Sequence, residues 1–366
     1  MATGTKGKKH KSTLVLNGVL ILICSIWLLP TLGVFITSFR DSHDIFNSGW
    51  WTVFPHKEDD DIGEVILDDA VDVNGKIPVE GITTTFEELR EGVTLPDGRK
   101  LTWFGNKRTR KIIVSEQKWV GFANNLTLEN YADVITGKEI TFTDAGGNEI
   151  LRRGNNLGAA FLNSIAVAVP ATIIPILIAA FAAFGFSWLK FPGRDLFFTM
   201  IIAILVVPLQ ISLVPILQDY TKLQLNGTFL GIWLAHTGFG LPLATYLLFN
   251  YISTLPRELL EAAYIDGASN FTILFRLILP LSVPSLASFA IFQFLWVWND
   301  YLVSLVFLGE KTRVITYALA SIVGEKGQDW HLLTSGAFVS MLLPMAVFFM
   351  LQRYFVRGML AGSVKG

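Results

Sequence analysis

Apolar residues fall into six runs along the chain, and one long polar block separates the first run from the second. The runs are Leu14–Phe39, Phe161–Leu189, Leu196–Leu217, Phe229–Tyr251, Val283–Leu308 and Ser335–Val356. At 1.5 Å of rise per residue, each can cross about 30 Å of hydrocarbon, some with tilt. The pattern predicts an all-α polytopic membrane protein with six transmembrane helices. "KGKKHK" precedes the first run, as it would a signal peptide. That run is too long for a signal core, and no small-x-small cleavage site follows it promptly, so it is read as a retained anchor. The expected organisation is an N-terminus over 1–13, a first helix over 14–39, a polar insertion over 40–157, a core of five helices over 158–356 and a tail over 357–366.

The polar block carries a different periodicity. "KIIVSEQKWVGF" and "EITFTD" read as short strands, and "LPDGRK" places Pro, Asp and Gly in turn order. A small mixed, β-rich domain is expected there, serving either as a surface for a protein partner or as a shield over the loops. Asp59, Asp60 and Asp61 are consecutive and lack the spacing of an EF-hand loop, so they read as a solvated acidic run rather than a calcium site.

Composition supports membrane placement. Charged residues make up 16% of the chain and hydrophobic residues 52%, against about 25% charged in soluble domains. The net charge of -1 gives no general attraction to nucleic acid. The one cysteine, Cys24, lies in the first run, so neither a disulfide nor a Cys-rich metal site is expected. Orientation follows from the basic residues of the short loops. Lys6, Lys8, Lys9, Lys11, Lys190, Arg194, Arg257, Arg276, Arg353, Arg357 and Lys365 share one side, and Lys222, Lys311, Arg313 and Lys326 the other. Eleven against four predicts cytoplasmic N- and C-termini and an extracytoplasmic insertion.

Eight prolines lie in the runs: Pro30, Pro170, Pro175, Pro208, Pro215, Pro242, Pro284 and Pro344. Each removes a backbone donor, which suits helices that bend. "AAFAAFG" from Ala179 to Gly185 offers a small-residue surface for close packing. In the fifth run, Gln293, Trp296 and Asp300 recur at helical spacing, and Asn299 adjoins them. An amide, an indole and a carboxylate on one face suit a sugar pathway. The alternative is that the tryptophans belong to an interfacial belt and Asn299 and Asp300 tie the helix end. For His236 and Asn163 the default is a helix–helix hydrogen bond. No phosphate-binding loop, His-Glu-x-x-His or nucleophile elbow occurs. The chain is therefore expected to be no enzyme and to hold no cofactor or metal; any uphill movement must draw on a partner or an ion gradient.

Between runs four and five stands "STLPRELLEAAYIDGASNFTILFRLILP". Pro256 suits a first helical turn, and Glu258 and Glu261 suit its positive end. Gly267 can close that helix with positive φ. Ser269 is a cap for a second short helix in which Phe271, Leu274, Phe275 and Ile278 are apolar. Ala262 and Ala263 allow a partner to approach closely, and Glu261 can pair with a cation. The alternative, a helix resting on lipid headgroups, is disfavoured by the lack of a Lys/Arg-rich face.

This segment resembles the EAA loop of ATP-binding-cassette importer permeases: Glu-Ala-Ala, Gly after three residues, and Ile-x-Leu-Pro after nine more, with Leu277 in place of the Ile. "FLNSIAVAV", "FGFSWLKFPGRD", "WNDYL" and "RGMLAGSVKG" are similar to MalG-type permeases of carbohydrate importers. The insertion beginning "FRDSHDIFNSGWWTVFP" looks most like the alpha-glucoside permeases of that group. The resemblance implies a type I importer permease fold in a bacterial inner membrane. It implies three kinds of partner besides lipid: a second, MalF-type permease, two ATPase subunits and an extracytoplasmic solute-binding protein. ATP and Mg would sit on the ATPase. Coupling would fall to Glu261, Ala262, Ala263, Asp266, Gly267, Leu279 and Pro280 at 256–280. Gly362, Val364, Lys365 and Gly366 would touch the ATPase pair, and "GEKTRVITYALASIVGEKGQDW" would occupy the place of the loop that reaches into the binding protein. The rival expectations are an ion-driven sugar transporter and a membrane-anchored receptor.

Overall fold

The computed structural model describes residues 4–120, 126–137, 139–143, 149–154, 156–326 and 329–363, with backbone alone for 4–12, 43, 47, 139–143, 149–153, 323–326 and 355–363. The chain divides into two compact units, Met1–Thr127 and Leu128–Gly366.

The first unit opens with helix α1 (Gly4–Thr37), whose stretch Thr13–Thr37 is long and apolar enough to span a membrane. Helix α2 (Ser42–Asn47) folds back because Arg40 donates to the carbonyls of Asp44 (2.8 Å) and Ser48 (3.1 Å). A four-stranded antiparallel sheet of order β1-β6-β5-β4 follows, from β1 (His56–Ile66), β4 (Val93–Thr94), β5 (Arg99–Phe104) and β6 (Lys111–Val120). The hairpin β2–β3 (Ile77–Val79, Ile82–Thr84) and helix α3 (Phe86–Glu91) cover one face. Leu67, Ile77, Leu89, Leu101, Trp103 and Ile112 are buried between them. Thr85 and Glu88 cap α3 reciprocally. β1 is a strand despite its acidic residues, which disfavour strands. Its pairing runs from His56 opposite Val120 to Ile66 opposite Lys111, and its carboxylates find cations: Asp59 with Lys100 (2.7 Å), Asp60 with Lys118 (3.6 Å) and Glu64 with Lys111.

The second unit begins with α4 (Glu129–Thr136) and the hairpin β7–β8 (Glu139–Thr143, Glu149–Arg153). Residues 128–157 therefore group with the helices rather than with the preceding sheet, because Val134 of α4 belongs to the helical core. α5 (Leu157–Trp188) packs along α8 (Phe229–Ile252) and α11 (Val283–Trp298), and α11 packs along α14 (Trp330–Ser363). Between these lie α6 (Arg194–Ile204), α7 (Leu209–Lys222), α9 (Arg257–Ile265), α10 (Asn270–Leu281), α12 (Leu302–Phe307) and α13 (Ile315–Lys326).

Two of the expected spans differ from straight helices. α6 and α7 meet at 99°, so the run Leu196–Leu217 is broken at Leu205–Pro208; α10 and α11 meet at 73° at Ser282. Among the described residues, four unbroken helices are long and apolar enough to cross a membrane, and six spans result if each bent pair counts as one. The breaks fall where Pro208 and Pro284 open the following helix, whose first turn lacks an amide partner anyway. Pro30, Pro170, Pro175, Pro215, Pro242 and Pro344 lie inside helices. The fifth run also ends as a helix at Trp298, ten residues before the expected Leu308, and α12 restarts after Asn299–Tyr301.

Candidate functional site

The segment between α8 and α11 is an elbow of two helices. α9 closes in a Schellman arrangement: Gly267 N–H donates to Tyr264 O and Ala268 N–H to Ala263 O, both at 3.0 Å. Gly267 has φ +78°, a conformation that L side chains rarely adopt. The Ser269 hydroxyl accepts from Thr272 N–H (3.2 Å) and starts α10. The Tyr264 hydroxyl bridges the bend to Asn270 Oδ1 at 2.7 Å. Within α10, the stretch Leu274–Ile278 widens so that Leu279 N–H reaches back to Leu274 O. Pro280 has no amide to donate and its ring crowds the carbonyl four residues back, which is where the wider turn lies.

The elbow has a fixed side and a free side. Leu260, Ile273, Leu274 and Ile278 are buried against Ala179, Ala180, Ala183 and Phe184 of α5 and Ala244, Leu248 and Ile252 of α8. The small residues of "AAFAAFG" make room for these larger side chains. Burying four such side chains gives roughly 6–12 kcal/mol of transfer free energy, an upper bound on what anchors the elbow. Facing outward are Glu261, Ala262, Asp266 and Gly267, with Leu259, Tyr264 and Ile265; Ile265 is 86% exposed. Ala263 and Leu279 are half-buried, and Pro280 is exposed. A rigid, anchored base with an apolar and acidic outer face can receive a partner and pass on displacement to α5 and α8.

A second set of residues lines the far end of α11, ~24 Å from the elbow at 16 residues and 1.5 Å each. Gln293 is buried, and its amide donates to the carbonyls of Ala171 on α5 (3.1 Å) and His236 on α8 (3.4 Å). It thus stitches three helices together. Trp296 is 37% exposed and meets the His236 ring nearly perpendicular, centroids 5.3 Å apart. Asn299 donates to Leu295 O (2.8 Å) and faces outward. Asp300 caps α12 by accepting from Ser304 N–H (2.9 Å) and Val303 N–H (3.3 Å), and its carbonyl accepts from Thr316 Oγ1 (2.7 Å). Of the three residues expected along one face, Trp296 opens onto free space while Gln293 and Asp300 hold neighbouring elements together, and Asn299, expected beside them, caps the end of α11.

Sequence reasoning set a helix–helix hydrogen bond as the default for His236 and Asn163. The structure differs for both. His236 is wholly buried with neither ring nitrogen hydrogen-bonded, and its Nε2 lies 3.9 Å from Asp300 Oδ2. Asn163 donates to the carbonyls of Lys311 (3.3 Å) and Arg313 (3.0 Å) in the loop before α13. That loop is further held by Ile315 N–H on Ser164 Oγ (2.8 Å). The proximity of His236 to Asp300, 64 residues apart, had no signal in the sequence. Among the tail residues, Gly362 ends within α14, while Val364, Lys365 and Gly366 lie outside the described residues.

A family model described as "binding-protein-dependent transport system inner membrane component" matches residues 175–361, which contain the elbow and the far end of α11. The chain is 46% identical over 348 residues to the osmoprotective compounds uptake permease protein GgtD of Synechocystis sp., covering 94% of this chain and 90% of the relative. It is 43% identical over 381 residues to the alpha-glucoside transport system permease protein AglG of Rhizobium meliloti, covering 94% and 95%. A crystal structure of a bacterial ABC transporter involved in the import of the acidic polysaccharide alginate contains a chain of similar fold. It has TM-score 0.57 at 15% identity, covering 95% of this chain and 98% of that one.

Proposed function

The chain belongs to the family of binding-protein-dependent transport system inner membrane components, and from that premise we propose that it imports an alpha-linked glucoside and takes its power stroke through the elbow of residues 256–280. It is a permease subunit of an ABC sugar importer. In the proposed assembly it forms half of the pathway beside a second permease. Two ATPase subunits grip the outer faces of the two elbows, and an extracytoplasmic binding protein delivers the sugar. Both termini and the elbow lie on the cytoplasmic side of a bacterial inner membrane, and ATP and Mg belong to the ATPase subunits.

The observation that carries this reading is the two-sided elbow. Its inner side is fixed by Leu260, Ile273, Leu274 and Ile278 to the two helices that carry the core, while Glu261, Ala262 and Ile265 stand free. Closure of the ATPases on nucleotide would push this base and tip α5 and α8 together. The glucoside assignment is supported by the likeness to the alpha-glucoside transport system permease protein AglG. The test is uptake by the reconstituted four-component complex. Glu261→Ala is expected to keep insertion and assembly while sugar uptake falls at least tenfold. Unchanged uptake would remove the coupling role.

The buried pair His236 and Asp300 is the sort of feature an ion-driven transporter would use. Uptake that survives ATP depletion and collapses with the proton gradient would favour that rival.

A further inference from the structure

Two adjoining cavities, of about 470 and 490 Å³, open on the surface formed by α6–α7, α8 and α11, and both are bordered by Leu205, Phe239 and Trp296. Each is large enough to hold part of a disaccharide. Both are mainly apolar, with Ser212 and Tyr220 in one and Gln293 in the other. Phe239 and Trp296 are the aromatic rings that border both, and Trp296 is the larger. A pathway must let its cargo leave, so flat aromatic faces with few hydrogen bonds suit it better than a dense polar pocket.

The orientation of that indole is set from behind. His236 is 0% exposed and meets Trp296 at 87° between ring planes, the edge-to-face geometry that aromatic pairs prefer. A buried imidazole with both nitrogens unbonded is costly and needs a reason. Its backbone is held in turn by Gln293, whose side chain fills the space that a Cβ on Gly240 would take, 2.5 Å away. Neither nitrogen makes a hydrogen bond among the described residues, and Nε2 stands 3.9 Å from Asp300 Oδ2; what His236 presents to Trp296 is the ring itself, at 5.3 Å between centroids.

We propose that Trp296 is a stacking platform for a pyranose ring passing between the two cavities, and that His236 is the positioning residue that holds its indole in place. The proposal rests on the importer reading above. The face opposite α5 would be closed by the second permease, so the sugar would slide over Trp296 within a shared pathway. The hydrogens on one pyranose face meet the indole, while its hydroxyls keep water or reach Ser212 and Tyr220.

The experiment uses the complete transporter in proteoliposomes, with the partner permease, ATPases and loaded binding protein. Uptake of radiolabelled maltose, sucrose and trehalose is measured beside ATP hydrolysis. Trp296→Ala is expected to lower uptake of the transported sugar about tenfold while binding-protein-stimulated ATP hydrolysis stays within twofold. Trp296→Phe should retain most uptake. His236→Ala should reproduce the uptake loss, His236→Phe should restore it to within threefold, and the double alanine variant should be no worse than Trp296→Ala alone. Normal uptake by Trp296→Ala overturns the platform and leaves the importer reading intact. Multiplicative losses in the double variant, or no rescue by phenylalanine, overturn the positioning role. Failure of the unaltered complex to take up any of the three sugars would sink the alpha-glucoside reading and this proposal together.

Discussion

Gly267 is the residue on which the elbow turns. Its φ of +78° is adopted freely by glycine, and a Cβ there would meet nothing within 4 Å. Gly267→Ala therefore adds backbone strain of about 1 kcal/mol without a clash. We expect this variant to insert and assemble normally, to melt within a few degrees of the parent, and to lose coupling of ATP hydrolysis to uptake. Gly240 is the opposite case: its conformation is ordinary, but a side chain would strike Gln293. Gly240→Ala must displace Gln293 from the carbonyls of Ala171 and His236 or force α8 from α11, at about 1–3 kcal/mol. Thermal unfolding of the purified protein should show a lowered Tm, and a Gly240→Ala protein as stable as its parent would contradict the stitching role of Gln293.

Helices and turns set by local chemistry were legible in the sequence. Pro256, Gly267 and Ser269 act within a turn or two of their own positions, so the elbow was readable before its packing was known. Features fixed by distant partners were not. The apolar run Ile201–Val207 continues to Pro208 without a polar interruption, so it hides the 99° break between α6 and α7. That Asn299 and Asp300 tie the end of α11 is one of the two sequence readings and holds; that Asp300 also caps the next helix through Ser304 and accepts from Thr316 is what the sequence did not show. β1 reads as a solvated acidic run until Lys100, Lys111 and Lys118 are placed beside it. That pairing has a pH consequence. The Lys100 ammonium hydrogen-bonds Asp59 and holds its carboxyl below the ordinary carboxylate value, and the hydroxyl of Thr84, with Thr85, does the same for Glu88. Carboxyls depressed on folding stabilise fully above their unfolded values near 4 and lose that contribution as pH falls through the lower folded values. Hydrogen exchange of the β1–β6 amides, corrected for its intrinsic rate, should hold level from pH 7 to about 5 and quicken below about 4. Thr85→Ala should weaken α3 by about 1 kcal/mol, visible as faster exchange confined to Phe86–Glu91.

For the molecule as a whole, the elbow joins the end of α8 to the start of α11, and the cavity surface runs from the middle of those helices to Trp296 near the far end of α11; Phe289 packs with the elbow's buried side chains and also lines a cavity. Displacement applied at Glu261 and Ile265 can thus reach Trp296 through rigid helices, provided the elbow meets an ATPase. Cys24 is the lone cysteine, so a Cys24→Ser background gives a clean scaffold for a single reactive site. A cysteine replacing Ile265, 86% exposed at the outer corner of the elbow, should be labelled by a membrane-impermeant thiol reagent in inside-out vesicles and be silent in right-side-out ones. The most direct measurement is cross-linking from that position in membranes that contain the assembled transporter. The ATPase subunit is the expected partner, with a yield that changes on adding ATP. A position-265 site that cross-links to lipid or to an extracytoplasmic protein, and never to the ATPase of an active complex, would contradict the coupling of sugar movement to nucleotide through this elbow.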